Sequence, residues 1–381
     1  MRIAVMGAGM MGSVIAWDLA RSPDVERVSV GDLDAARLAA VKARLGEKGE
    51  VRRVDATSRD SVVRFLKGCD VAVSALPHGA VHPVDLAAIE CGARLVNTAF
   101  EDEQMALDAR ARRRRAVLVP GCGVAPGLSN ILLAEGARSM DSAEEGHVYV
   151  GGLPQRPEPP LSYHLVFSVK GLIREYLSAR VIRDGEVRSV APFGAVLKVR
   201  FRKPIGTLEA FFTDGLGSSI HTMRGLRELD ERTLRYPGHA ERIGFLLEAG
   251  FFGTEKVPVG DGGRAVAPID VSAAVLQRVL TRGDPRDVTV MRVETVGKRG
   301  GAGARVVFDL VDRYDEENRI TSMGRTTGFT AAIVARMLGR GEIEGAGVLP
   351  PETALGGAAV KRLLAELSAK GVTVRKTVRS P

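Results

Sequence analysis

The sequence predicts an α/β protein in which a doubly wound parallel sheet is joined to a second, mixed α/β domain with a largely antiparallel sheet. Three observations carry that reading. Over the first 120 residues, short apolar runs alternate strictly with helix-patterned stretches, joined by short links. A glycine-rich turn, Gly7-Ala8-Gly9-Met10-Met11-Gly12, closes the first of those runs. At 381 residues the chain also exceeds what one ordinary core holds, so two domains are expected.

The elements follow in order. RIAVMG (2–7) is a continuous apolar run ending in glycine, as a parallel strand buried on both faces should be. A helix pattern runs on to Ala20. VSVGD (28–32) is the second strand, with a helix from Asp34 to about Leu45. VRRVDA (51–56) is the third, followed by a helix that Ser58 caps and Asp60 favours in its first turn. DVAVSAL (70–76), ARLVNTA (93–99) and AVLVP (116–120) complete the sheet, separated by helices at about 81–91 and 101–114. Beyond residue 126, strand patterns appear at 145–152, 179–190, 195–201, 287–298 and 304–315. Asp184-Gly185 marks a turn within the second of these, and Arg299-Gly300-Gly301 joins the last two as a hairpin.

The glycine turn has a chemical reading. It closes a strand, opens a helix, and Asp32 ends the next strand twenty residues after Gly12. Gly7 permits the tight turn, Gly9 lets backbone approach a pyrophosphate, and Gly12 lets helix and strand pack closely. The N–H groups at the helix start then meet phosphate charge, with Met10 and Met11 in the first turn. This is a Rossmann-type dinucleotide site. An acid at Asp32 accepts from both ribose hydroxyls and repels a 2′-phosphate, so NAD is expected rather than NADP. Further contacts are expected at the carboxyl ends of later strands: Asp55 and Ala56 beside the adenine, and Ala75, Leu76 and Pro77 near the second ribose. Asn97 and Thr98 fall at the nicotinamide end.

Composition narrows the partners. The net charge of +8 is spread over arginines interleaved with acids, and the one dense run, ARARRRRAV (109–117), points around a whole helix rather than along one stripe. Coenzyme phosphates or acidic metabolites fit that field better than nucleic acid. No apolar run reaches the length of a membrane span, and the chain opens on a strand pattern without an apolar signal region. No membrane partner and a cytoplasmic location are expected. Cys69, Cys91 and Cys122 match neither a disulfide framework nor a metal motif, so no metal is expected.

At PGCGVAPGLSNILLAEGA (120–137) the sequence resembles the loop and helix that follow the sixth strand in the saccharopine dehydrogenase family. The segments 150–176, 206–219, LRYPGHAERI (234–243) and GRTTGFTAAIVARMLGRG (324–341) look like its L-lysine 6-dehydrogenase branch, and the similarity runs from Arg2 to about Leu355. The resemblance implies an NAD-dependent enzyme that oxidises the terminal amino group of lysine, a small-molecule substrate. It also implies that the last helix returns to the first domain, giving a coenzyme domain of 1–125 and 321–381 and a substrate domain of 126–320. A homo-oligomer, dimeric or built from dimers, is expected separately, because a sheet-rich second domain with the apolar segment FLLEAGFF (245–252) offers more apolar surface than a monomer should expose. The proline-rich stretch GGLPQRPEPPL (151–161) then becomes a rigid wall beside the cleft rather than a spacer. Two departures stand out. Where the branch carries an Asp-Leu-Gly-Gly type sequence, this chain has Asn97-Thr98-Ala99-Phe100 followed by Glu101-Asp102. Where it carries an acid after the proline, this chain has Gly121.

Oxidising a primary amine requires a neutral nitrogen, so a base must take the ammonium proton. His239 is the first candidate, because its ordinary pKa suits neutral pH, and His164 the second. Glu101 or Asp102 would hold the cationic amine. Arg325 and Arg156 are candidates for the substrate carboxylate, which a guanidinium binds bidentately. A structural hydrogen-bonding role competes for His239, and a surface or interface ion pair for Arg325. Two other functions stay open: reductive condensation of an amine with a 2-oxo acid, and NAD binding without catalysis.

Overall fold

A computed structural model describes residues 1–166, 168–260 and 264–380. The first region supplies six of the seven strands of the first sheet: β1 (Arg2–Met6), β2 (Arg27–Asp32), β3 (Gly49–Arg53), β4 (Val71–Ser74), β5 (Arg94–Asn97) and β6 (Val117–Val119). The second region supplies β7 (Ser142–Pro154), β8 (Ala179–Arg183), β9 (Glu186–Val190), β10 (Leu197–Arg200), β11 (Thr207–Phe212) and β12 (Glu228–Arg235). A small pair, β13 (Val257–Val259) and β14 (Arg264–Val266), stands apart. The long hairpin β15 (Asp287–Arg299) and β16 (Ala302–Arg313), then β17 (Gly347–Val348) and β18 (Val374–Arg379), complete the set.

The first sheet has the order β17-β6-β5-β4-β1-β2-β3 and is parallel throughout. Strand order reverses between β1 and β4, the place where such sheets bind ligands beyond their carboxyl ends. The second sheet runs β10-β11-β12-β7-β15-β16-β18, with β8 and β9 added on β12. All its pairs are antiparallel except β12 with β7. The fold is therefore α/β, a parallel doubly wound sheet plus a mixed sheet.

Several local expectations meet simple physical counterparts. Asp184 (φ 51°) and Gly185 (φ 78°) turn the β8–β9 hairpin with both central residues left-handed, as the right-handed twist of paired strands favours. The third strand ends at Arg53 rather than 56, because Asp55 accepts from the N–H and hydroxyl of Thr57 and turns the chain toward the next helix. The helix expected over 101–114 divides into a 3-10 turn, Asp102–Leu107, and a helix, Asp108–Arg113.

The helix Ser322–Gly339 ties the two regions together. Thr321 caps it by accepting from the Gly324 N–H at 3.1 Å. Gly324 and Gly328 lie against Val14 of the helix Met10–Arg21, where an added Cβ would stand 3.1 and 3.0 Å from the valine methyls. One apolar core continues from β1 and β4 through this helix and Leu128–Arg138 into β7, β15 and β16. The chain end divides differently from the expected 321–381 unit. β17 extends the parallel sheet beside β6, whereas β18 pairs with β16 in the second. No helix among the described residues is long and apolar enough to cross a membrane.

Candidate active site

A cleft of about 1100 Å³ opens between the two sheets and is lined from both. Its first end is the glycine turn. Gly7 has φ 97°, and a Cβ there would stand 2.8 Å from the Ala75 carbonyl oxygen. A Cβ at Gly12 would fall 1.9 Å from the Gly7 oxygen, so helix and turn can approach only with glycine at both positions. Gly9, by contrast, has nothing within 4 Å of that position, leaving its backbone open to the cleft as the helix begins at Met10. Asp32 borders this turn. Its carboxylate accepts from the Ala8 N–H at 2.7 Å and the Asp34 N–H at 2.9 Å. An open glycine, a helix start and an acid at the next strand's end together fit the phosphates and ribose of a dinucleotide.

Most of the residues expected to touch a coenzyme line this end: Gly7, Gly9, Met10, Met11, Asp32, Ala75, Leu76, Pro77 and Thr98. Gly12 serves by packing. Three do not reach the cleft. Asp55 and Ala56 lie in the turn after β3, where Asp55 is occupied by Thr57. Asn97 is buried below, donating to Asp85 at 2.6 Å. Arg37 and Arg44 line the Asp32 end and were not anticipated, although they follow from helical spacing after Asp34.

The other end is built by β12 and its neighbours. Glu231, Thr233 and Arg235 alternate along that strand, so all three face the cleft. Beside them, Gly151 lets β7 pass close to Leu234, where a Cβ would stand 2.4 Å from the carbonyl oxygen. Arg235 donates to Glu175 at 2.9 Å and lies 4.4 Å from the centre of the Tyr163 ring. Glu231 is 4% exposed, its Oε2 has no hydrogen-bond partner among the described residues, and burial beside Glu175 and Asp214 pushes its pKa up to about 8. Sequence reading missed it. The signal available was the i, i+2, i+4 pattern Glu-x-Thr-x-Arg in a charged run, which does not look like a strand without its partners.

The residues expected to carry the reaction are scattered. His239 has no exposed surface and lies outside the cleft. A carbonyl can only accept, so its Nδ1–H donates to the Leu161 oxygen at 3.0 Å, and Nε2 accepts from the Tyr176 hydroxyl at 3.0 Å. Burial, with Arg235 nearby, lowers its pKa to about 3. It is a neutral core histidine with both nitrogens engaged, which corrects the expectation of a base there. His164 faces the Arg282 carbonyl at 3.2 Å, away from the cleft. Arg325 is buried against Asp312 and Asp315, which neutralise it, so it is not placed to receive a substrate carboxylate. Arg156 is exposed outside the cleft. The prolines around it lie there too, against the segment 282–287, so they stiffen the outer face of the second region rather than wall the site.

Glu101 and Asp102 do line the cleft. Glu101 accepts from the Gly79 N–H at 2.6 Å and stands 3.7 Å from the His78 ring. Asp102 accepts from Arg180 at 2.7 Å and lies 2.7 Å from His221 Nε2. Burial would raise the Asp102 pKa, but His221 and Arg180 bring it below the ordinary carboxylate value. Arg174 lines the same end and, among the described residues, forms no ion pair.

Comparison with known proteins agrees with this arrangement. A family model described as the saccharopine dehydrogenase NADP binding domain matches residues 3–119, and one for the saccharopine dehydrogenase C-terminal domain matches 123–372. Mitochondrial alpha-aminoadipic semialdehyde synthase of Rattus norvegicus is 22% identical over 427 residues, covering 92% of this chain. Alpha-aminoadipic semialdehyde synthase of Arabidopsis thaliana is 24% identical over 276 residues, covering 66%. The alignments span only 45% and 25% of those two relatives. In fold, the chain is similar to apo saccharopine dehydrogenase (L-Glu forming) from Saccharomyces cerevisiae, with a TM-score of 0.80, 18% identity and both chains covered completely. It is also similar to a homospermidine synthase from Legionella pneumophila in complex with NAD, with a TM-score of 0.68, 12% identity and coverage of 99% and 91%. Matched in both its halves, the chain belongs to the saccharopine dehydrogenase family of nicotinamide-coenzyme oxidoreductases.

Proposed function

We propose that the protein is an NAD-dependent amine dehydrogenase that oxidises the terminal amino group of a small amino acid, with L-lysine the first choice. The observation that carries this reading is one cleft with two chemically distinct ends. The glycine turn and Asp32 suit a dinucleotide, and Asp32 favours a free 2′-hydroxyl over a phosphate. The far end pairs acids, which suit a cationic amine, with Arg174, which suits a carboxylate. An amino acid with a second, distal amine carries both groups. When bound, oxidised nicotinamide supplies the hydride acceptor. The protein must hold the carbon–nitrogen bond beside it, take the ammonium proton and exclude competing water. That proton acceptor belongs among the cleft carboxylates, since His239 lies outside. A cytoplasmic location accompanies the proposal.

The test is NADH formation at alkaline pH with L-lysine, ornithine, pentane-1,5-diamine and diaminopimelate. Turnover with L-lysine well above the others supports the reading, and absence of turnover with all four overturns it. The match of both halves to saccharopine dehydrogenase models favours a second reading, reductive condensation of an amine with a 2-oxo acid. NADH oxidation that requires both partners would select it.

A further inference from the structure

Six carboxylates line the cleft: Asp32, Glu101, Asp102, Glu175, Asp214 and Glu231. Five have donors of their own. Asp32 and Glu101 accept from backbone N–H groups. Asp102 and Asp214 share Arg180, and Glu175 takes Arg235. Glu231 differs. It is the most deeply buried of the six, yet Oε2 meets no donor among the described residues. A buried carboxyl oxygen without a donor is costly, and a ligand N–H at the cleft wall would supply the missing partner.

The surroundings say which ligand. Glu175 and Asp214 bring further negative charge near Glu231, while Arg235 and Arg180 are directed to those two acids. Thr213 and Thr233 stand 3.1 Å apart at their hydroxyls, and the Thr213 hydroxyl also reaches Glu231, a neutral contact that leaves Oε2 without a partner. Gly215 presents bare backbone to the carboxyl: a Cβ there would stand 1.8 Å from Oε1. Glycine at 215 is thus what lets the carboxyl pack onto the backbone at the cleft wall, and Arg180 and Arg235 are spent on the neighbouring acids. An anion would be repelled by Glu175 and Asp214, and a neutral hydroxyl would bring no charge to stabilise the Glu231 carboxylate. An ammonium supplies both N–H donors and positive charge.

We propose that Glu231 is the group that receives the reactive amine nitrogen of the substrate and exchanges its proton. The inference rests on the amine reading above and names the residue that serves it. In the free cleft the carboxyl is protonated. When R–NH3⁺ binds, the O–H bond breaks, that proton leaves to solvent, and an ammonium N–H donates to the new carboxylate. The nitrogen's N–H bond then breaks and the proton returns to the carboxylate, giving R–NH2 beside a carboxylic acid and leaving the lone pair that amine oxidation needs. Charge and protons balance at each stage. A purely structural acid would exchange no proton with ligand. Burial and the two neighbouring acids hold the Glu231 pKa near 8, so the release is expected at neutral pH and should vanish above pH 9.

The experiment is titration calorimetry of the full chain with L-lysine, pentane-1,5-diamine and L-norleucine, in two pH 7 buffers of different ionisation enthalpy. Wild type should bind at least one of the amines with release of close to one proton, and Glu231→Gln should bind it about tenfold or more weakly without release. L-Norleucine, which ends in a methyl group, should be indifferent to the substitution. Gly215→Ala pushes a methyl group toward Oε1 and should weaken the amines in the same direction, an independent probe if Glu231→Gln folds poorly; NADH binding reports the fold of both. Equal amine affinity in wild type and Glu231→Gln overturns the inference, and so does a wild-type chain that binds neither amine. Binding that depends on Glu231 without any turnover would leave the inference standing and defeat the proposed activity. Turnover that is indifferent to Glu231 would do the reverse.

Discussion

The Nε2 of His239 stands 3.0 Å from the hydroxyl of Tyr176, and both rings are shut away from solvent. The pair is a strut. His239→Asn would keep a donor near Leu161 but leave the Tyr176 hydroxyl without its acceptor, at a cost of about 2 kcal/mol. The acidic limb of the pH–rate profile should be unchanged in this variant. The stability effect has a definite sign. The folded pKa, about 3, lies below the ordinary 6.5, so this histidine contributes stability present above pH 6.5 and lost as pH falls toward 3. Wild type should lose about 4 kcal/mol relative to His239→Asn across that window, so the variant, less stable at neutral pH, becomes the more stable near pH 3. A parallel fall of the two melting curves would show that the ring is hydrated and accessible.

What could be read from the sequence, and what could not, follows from the range of the forces involved. Parallel strands buried on both faces leave continuous apolar runs, and the glycine turn is a local backbone requirement, so both were visible. The hairpin at Asp184-Gly185 was visible for the same reason. His239 misled because the segment Tyr236-Pro237-Gly238-His239 is local whereas its burial is not: Leu161 and Tyr176, 78 and 63 residues away, consume its nitrogens. Glu231 was hidden for a related reason. β12 carries charge on both faces, with Asp230 neutralised by His147 and Arg183 from other strands, so it lacks the alternation that marks a half-buried strand.

The proposed preference for NAD rests on Asp32. Its carboxylate is held beside the glycine turn, where a 2′-phosphate would meet like charge. Wild type should bind NADH more tightly than NADPH, and Asp32→Ala with Leu33→Arg should bring NADPH to within about threefold of NADH. Fluorescence titration measures both. Equal wild-type affinities would mean that Arg37 and Arg44, at the same end of the cleft, outweigh the acid.

Phe245 is 68% exposed and Phe251 50% exposed, on and just after the helix His239–Glu248, and Val271 and Val275 are exposed on the helix Pro268–Leu280. The Ser272 hydroxyl donates to the Phe251 carbonyl, so the two segments adjoin. Contiguous apolar surface of this kind marks an interface more often than open solvent. A homo-oligomer, dimeric or built from dimers, is expected, and Phe245→Glu with Val275→Glu should shift it toward monomer. Light scattering that reports a wild-type monomer at micromolar concentration removes the expectation.

Asp102 bridges the two regions of the chain through Arg180 and His221, and its charge is already matched. Each of its oxygens already faces a partner, Oδ2 the Arg180 guanidinium and Oδ1 the His221 ring, which leaves little net charge to draw an ammonium. Asp102→Asn should therefore leave KM for the amine within about twofold, while weakening a half-exposed pair worth about 0.5 to 1 kcal/mol. A rise in KM of tenfold or more would return this residue to the substrate.

Glu231 should also mark the pH dependence of stability, independently of any ligand. Its folded pKa, about 8, lies above the ordinary 4.5, so the native state binds a proton that the unfolded chain has released between those values. A carboxyl raised in this way contributes stability that is full below pH 4.5 and is lost as pH rises through 8. The loss is about 4 kcal/mol for a shift of this size. Glu231→Gln keeps the shape and cannot ionise, so it avoids the loss. Melting temperatures of wild type and variant should lie close together at pH 5 and diverge steadily toward pH 9, with the variant the more stable. The opposite divergence would require that Glu231 is stabilised as an anion by a donor that the folded chain supplies, and the carboxyl would then have no need of an ammonium.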